Sequence, residues 1–287
     1  MRTFAAATTA LALVSASSAF AADLPLKAPP PAAPVLNWTG FYIGGVAGGA
    51  RSDDKVNYSA NDPLSAFEIA GPAGGNPLVT SYNLNRSGPV GGLEIGYNWQ
   101  AGSYFVLGVE ADISAAAVSG SATATSIRIA LPGLPTQFES TTSEQDTKWY
   151  GTVRGRLGWV ATPNLLLFGT AGLAYGRTSV TGNFAFSGPT AMVTGNFGGF
   201  SLVCAFNAPC FTGASAADRT GWVAGAGAEY RFDAHWSVKL EYQFVDLGTQ
   251  LLTVSAITFL PGTAPASFTA AFRDQMHVVR AGLNYHF

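Results

Sequence analysis

Eight segments of eleven to thirteen residues alternate apolar with polar side chains, and that alternation constrains the chain more than any other feature. Successive side chains of an extended strand point to opposite faces. In 88–100, Leu93, Ile95, Tyr97 and Trp99 therefore share one face, and Glu94, Gly96 and Asn98 share the other. Segment 104–114 sets Phe105, Leu107, Val109 and Ile113 against Glu110 and Asp112, and 148–160 sets Trp149, Val153, Leu157 and Trp159 against Arg154 and Arg156. Segment 165–176 groups Leu165, Leu167, Leu173 and Tyr175. In 220–232, Trp222, Tyr230 and Phe232 oppose Glu229 and Arg231; in 236–248, Val238, Leu240, Tyr242 and Phe244 oppose Lys239 and Glu241. Segment 276–287 opposes Val279, Leu283, Tyr285 and Phe287 to Arg280, and the first segment, 38–49, is Gly-rich with an ambiguous facing.

The connections alternate in length. Turns at 100–103, 161–164 and 233–235 are short, whereas 50–87, 115–147, 177–219 and 249–275 are long. An even number of strands with short turns on one side and long loops on the other is the pattern of outer-membrane barrels. The predicted fold class is all-β: an eight-stranded antiparallel transmembrane β-barrel with four long extracellular loops and short periplasmic turns.

Composition agrees with this reading. Only 11% of residues are charged, against about 25% in ordinary soluble domains. Beyond the amino terminus no stretch of about 18 apolar residues occurs, so a helical span is excluded and a closed barrel is the remaining structure that satisfies every backbone group in lipid. The register predicts a lumen network of Glu94, Glu110, Asp112, Glu229 and Glu241 facing Arg154, Arg156, Arg231, Lys239 and Arg280, five charges against five. It also predicts an aromatic girdle of Trp38, Trp99, Trp149, Trp159, Trp222 and Trp236, all near segment ends. Net charge is −2, which gives no basic footprint for nucleic acid.

Residues 1–21 read as a signal peptide: Arg2 precedes an apolar run, and Ala19-Phe20-Ala21 forms a small-x-small cleavage pattern. Residues 22–37 are Pro-rich and read as a periplasmic amino-terminal segment, leaving 38–287 as the barrel domain. Cys204 and Cys210, with five residues between them in one exported loop, predict a disulfide. The same loop contains Thr181-Gly182-Asn183-Phe184 and again Thr194-Gly195-Asn196-Phe197. That duplication predicts a hairpin above the membrane, with two further spanning strands as the alternative. No phosphate-loop pattern, catalytic triad or metal-ligand spacing emerges among the three histidines, of which His277 alone lies near the outer rim. No enzyme activity, cofactor or metal is expected.

Trp38-Thr39-Gly40-Phe41-Tyr42-Ile43-Gly44-Gly45 and the ending Val279-Arg280-Ala281-Gly282-Leu283-Asn284-Tyr285-His286-Phe287, with Glu241-Tyr242 and Asp246-Leu247-Gly248, resemble the small alphaproteobacterial outer-membrane β-barrel surface proteins. The resemblance implies an OmpA-like eight-stranded barrel in outer-membrane lipid. It also implies a carboxy-terminal assembly signal, carried here by Val279, Leu283, Tyr285 and Phe287, that the outer-membrane assembly machinery reads.

Eight strands enclose only enough room for side chains, so a broad pore is disfavoured. The expected role is structural, contributing to envelope integrity and presenting loops to surfaces. The alternatives are a narrow channel for small solutes, and loop-mediated binding of an extracellular ligand such as haem or of a host factor.

Overall fold

A computed structural model describes residues 37–71, 76–129, 136–189 and 192–287. The segment read as a signal peptide and residues 22–36 of the Pro-rich segment lie outside the described residues. Twelve elements follow in chain order: β1 Gly40–Ala60, α1 Pro63–Ala70, β2 Ser81–Ala101, β3 Phe105–Ile129, β4 Gln137–Thr162, β5 Leu165–Ser187, β6 Met192–Phe197, β7 Phe200–Ala205, β8 Ala208–Arg231, β9 Trp236–Ala256, β10 Ala264–Pro265 and β11 Ser267–His286. The ring β1-β11-β9-β8-β5-β4-β3-β2 is a closed antiparallel barrel, and β10, β7 and β6 form a small separate sheet. No described helix is long and apolar enough to cross a membrane, and the strands make the crossing.

Three of the four stretches expected as long loops are largely strand, and the first is strand at both ends. The barrel strands reach 20–26 residues, about twice what a bilayer requires. Along β11 the inward side chains are Arg280, Asn284 and His286 near one end and Phe268, Ala270 and Phe272 near the other. The outward side chains change in the opposite sense, from Leu283 and Val279 to Arg273 and Thr269. Polarity of the surroundings explains the change. In lipid the outer face must be apolar; above it the outer face meets water and the apolar side chains turn to the interior.

The interior is stacked in layers. Trp38, Val106, Val160 and Leu166 fill the periplasmic mouth. Buried charges come next, then an apolar layer around Tyr150, Val245 and Met276. Above it Arg86 bridges Asp54 and Asp274, each at 2.9 Å. The largest apolar cluster, with Phe184, Phe186, Phe211, Phe268 and Phe272, fills the extracellular half. Helix α1 covers it with Leu64 buried in that cluster. Asp62 caps the helix, its Oδ1 accepting from the Ser65 amide at 2.8 Å while Ser65 Oγ accepts from the Asp62 amide at 3.2 Å.

The duplicated Thr-Gly-Asn-Phe motif divides between elements: 181–184 lies in β5, and 194–197 lies in β6, which turns back as β7. The third connection thus holds a hairpin that pairs with β10 rather than with the barrel wall, and the barrel keeps eight strands. Cys204 of β7 and Cys210 of β8 form a disulfide with Cα atoms 5.1 Å apart, tying this hairpin to the wall.

Candidate functional site

The membrane-level lumen is where sequence register and geometry converge. Alternation sends Glu94 from β2, Glu110 and Asp112 from β3, Arg154 and Arg156 from β4, Glu229 and Arg231 from β8, Lys239 and Glu241 from β9 and Arg280 from β11 to the interior, all buried. Nine of the ten form one ion-pair network. Lys239 Nζ lies 2.6 Å from Glu94, 3.2 Å from Glu110 and 3.6 Å from Glu241. Arg280 reaches Glu241 at 2.9 Å and Asp112 at 3.1 Å. Arg154 bonds Glu110 and Glu241 and meets Asp112 at 3.1 Å, while Arg156 bonds Glu229. Charge placed in a low-dielectric interior must be matched, and here each carboxylate touches at least one cation.

Arg231 stands apart from the expected network. It donates to the Asn37 carbonyl at 2.6 Å, and its guanidinium lies over the Trp38 ring at 5.3 Å. Trp38 is likewise not part of a girdle. It is fully buried in the periplasmic mouth, edge-on to His286 at 6.0 Å, because it packs there with Val106, Val160 and Leu166 under the Arg231 guanidinium instead of facing lipid. The other five tryptophans do face outward. Trp99, Trp159 and Trp236 sit beside the short turns, and Trp149 and Trp222 sit on the outer side. Trp149 and Trp159 are ten residues apart on β4, which at about 3.3 Å per residue and a tilt of about 45° spans roughly 23 Å, close to the apolar band of such barrels.

The charge count alone did not reveal the polar side chains that complete this network. Tyr42 donates to Glu110 Oε2 at 2.6 Å, Thr152 to Asp112 at 2.5 Å and Ser237 to Glu229 at 2.5 Å, and Asn284 donates to Glu229 at 3.1 Å. His286, buried inside, lies 3.2 Å from Glu229. Glu94, Glu110 and Glu241 each bring a carboxylate oxygen within 4.8 Å of the others, a spacing that could hold a metal ion. The Lys239 ammonium and the Arg280 guanidinium already stand among them, so the position a metal would take is filled by protein cations. His277 does not enter the lumen: its Nδ1 lies 2.7 Å from the Tyr242 hydroxyl on the outer wall, beside Phe244.

A second charged cluster lies at the extracellular end, where the sequence reading expected only loop. Arg128 of β3 bonds Glu68 of α1 and lies 2.6 Å from Glu139 of β4, holding the helix to the wall. Burial, and next the negative charge of Glu68, push the Glu139 carboxyl up to about 7 against the opposing pull of Arg128. The signal available in sequence was the capping pattern Asp62-Pro63-Leu64-Ser65 ahead of Glu68.

The model of the outer membrane protein beta-barrel domain family matches residues 6–287. The 31 kDa outer-membrane immunogenic protein of Brucella melitensis is 34% identical over 281 residues, which is 96% of this chain and 97% of that one. The 22 kDa outer membrane protein of Rhizobium leguminosarum is 26% identical over 216 residues, 75% of this chain and 67% of the relative. Among solved structures, the outer membrane protein OprG from Pseudomonas aeruginosa aligns over 87% of this chain and 97% of its own at 11% identity, with a TM-score of 0.38. With its closed ring, its apolar outer band and a family match from near one end to the other, the chain belongs to the outer-membrane β-barrel proteins of the alphaproteobacterial type.

Proposed function

We propose that this protein is a structural component of the outer membrane, with no catalytic or conducting activity, that stiffens the envelope and presents its extracellular end for contact with other surfaces. One observation carries the reading: the side chains of Glu94, Glu110, Asp112, Arg154, Arg156, Glu229, Lys239, Glu241 and Arg280 have no exposure to water at all. A water-filled passage would wet some of them. The Phe-rich layer above would then have to be crossed as well.

The extracellular end supports the second half of the proposal. Phe67, Met192, Phe197 and Phe259 are exposed there, on α1, β6 and the segment after β9. Exposed apolar side chains in water are what a binding partner would cover. The outward Val279, Leu283 and Phe287 of the last segment fit recognition by the assembly machinery before the ring closes.

Single-channel recording of the purified, reconstituted chain tests the main claim, with heat-modifiable gel mobility confirming that the barrel is folded. Silence is expected, and reproducible conductance steps would overturn it in favour of a narrow channel. Surface contact is tested by saturable binding of the intact barrel to host-cell extracts. Binding should be lost when residues 192–205 are replaced by a short turn, and binding that survives the replacement would move the contact elsewhere.

A further inference from the structure

Three adjoining seams of the ring are interrupted side by side. β1 and β11 are unpaired over 52–55 and 273–276, β11 shifts against β9 between Arg273 and Gln275, and β9 shares no pair with β8 between Thr212–Ser255 and Trp222–Asp246. The last break is the longest, taking in 213–221 of β8 and 247–254 of β9. The five other seams are interrupted by at most two residues of either strand between paired ends. At its lower end stands Trp222, one of the outward tryptophans, so the break starts at the membrane surface and runs away from it.

The motif Asp246-Leu247-Gly248 supplies the cause. Asp246 Oδ1 accepts from the Gly248 amide at 2.8 Å and Gly248 takes φ +80, a local turn that ends the pairing of β9 with β8 at Asp246. The two strands still touch. A Cβ at Gly221 would lie 1.8 Å from the Asp246 carbonyl oxygen, and one at Gly213 would lie 2.4 Å from that of Thr253. Among the described residues, the side-chain hydrogen bonds that cross the break are both from Arg219 of β8, whose Nε donates to the Leu247 carbonyl at 3.4 Å and whose Nη2 donates to the Thr249 carbonyl at 2.5 Å. The break between β1 and β11 is pinned differently, by the buried Arg86 between Asp54 and Asp274, with Asp54 also accepting from the Gln275 amide at 3.0 Å.

We propose that the β8–β9 seam is a lateral slit in the wall, latched by Arg219, that opens at the membrane surface by outward bowing of β9. Segments with few backbone pairs open locally at far lower cost than the whole fold. β9 is free to bow because its register against β11 also shifts at this place, while the pairs Phe211–Ala256 and Thr212–Ser255 keep the upper end of the slit laced. From the unpaired part of β9, Leu252 and Val254 project into the Phe-rich cluster. Opening therefore exposes that apolar layer sideways, at the level of the membrane surface. The buried charges lie below the break and stay sealed, so the slit makes no passage across the membrane.

Hydrogen exchange of the intact barrel in nanodiscs, read by mass spectrometry, is the first test. Alternate amides of 247–254, those directed at β8, should exchange well ahead of the amides of 174–182 in β5, which is paired on both sides. Arg219→Ala should speed the exchange of 247–254 about tenfold, with Arg219→Lys in between. The second test places a thiol behind the slit. Cys204 and Cys210 are joined to each other, so in Leu252→Cys only the new thiol reacts with a maleimide. Adding Arg219→Ala should speed its labelling about tenfold, while Leu84→Cys, buried in the same cluster on β2 across the ring, keeps its rate. Gel mobility confirms that each variant is folded. Exchange in 247–254 as slow as in 174–182, or equal acceleration of Leu84→Cys and Leu252→Cys, would overturn the proposal.

Discussion

Arg154 is the residue on which the lumen network turns, since it faces three carboxylates, Glu110, Asp112 and Glu241, and also donates to Thr170 at 3.1 Å. Breaking a buried pair by removing one partner costs about 3–5 kcal/mol. Arg154→Ala should lower barrel stability by that order in detergent unfolding, whereas an unchanged midpoint would mean that the inward side chains do not act as a core. Gly96 makes a different contribution. A Cβ there would lie 2.3 Å from the Tyr42 ring, so the bare backbone lets Tyr42 lie across β2 and reach Glu110. Gly96→Val should cost about 1–3 kcal/mol by overpacking, read by the same unfolding experiment. Glu139 predicts a pH dependence. Its folded pKa, about 7, is raised above the ordinary value of 4.5, so between those pH values the folded protein holds a proton that the unfolded chain has released. The stabilisation is fully present below about 4.5 and is lost as pH rises through about 7. Amide exchange in α1, corrected for intrinsic rates, should show more protection at pH 5 than at pH 8, and Glu139→Gln should abolish the difference.

At the scale of elements, the hairpin of β6 and β7 is held by the disulfide, by Leu202 buried in the extracellular apolar cluster and by hydrogen bonds such as the Val203 amide to the Thr258 carbonyl at 2.8 Å. Closing so short a loop is worth about 2 kcal/mol. Cys204→Ser should therefore make 192–205 sensitive to proteolysis while leaving the heat-modifiable mobility of the barrel intact; concerted loss of both would show that the hairpin and wall fold as one unit. The elements also show what could be read from sequence. The membrane-level halves were legible because lipid outside and charge inside give the alternation high contrast. The extracellular halves were not, because their outward residues are mostly Ser, Thr, Ala and Asn with scattered charges such as Arg51, Lys55 and Arg273, a mixture that also makes loops. The signal was present in 178–186, where Val180, Phe184 and Phe186 alternate with Ser179, Thr181, Asn183 and Ala185, but its polarity was the reverse of the one sought. Trp38 was misplaced for a related reason: it precedes a Gly-rich strand whose facing no neighbouring residue fixes.

For the whole molecule, the interior charges are sealed from solvent, so their attraction is not screened by dissolved ions. Unfolding midpoints should change little between 0.1 and 1 M sodium chloride, and a steep fall would indicate that ions reach the lumen. The inward charge network of the lumen could be read residue by residue, with Arg231 the exception, because a charge facing lipid would cost about 2–4 kcal/mol at mid-membrane. The layers above it rest on side chains distant in sequence, such as Leu64, Leu202 and Phe268, and no local pattern reports such neighbours. The inversion of faces along each strand also bears on how the ring closes. A strand that slipped by one position against its neighbour would push Arg or Glu into lipid at one end and Phe into water at the other. Two solvents thus proofread a single alignment, so a mispaired ring is rejected at both ends and only one closure escapes penalty.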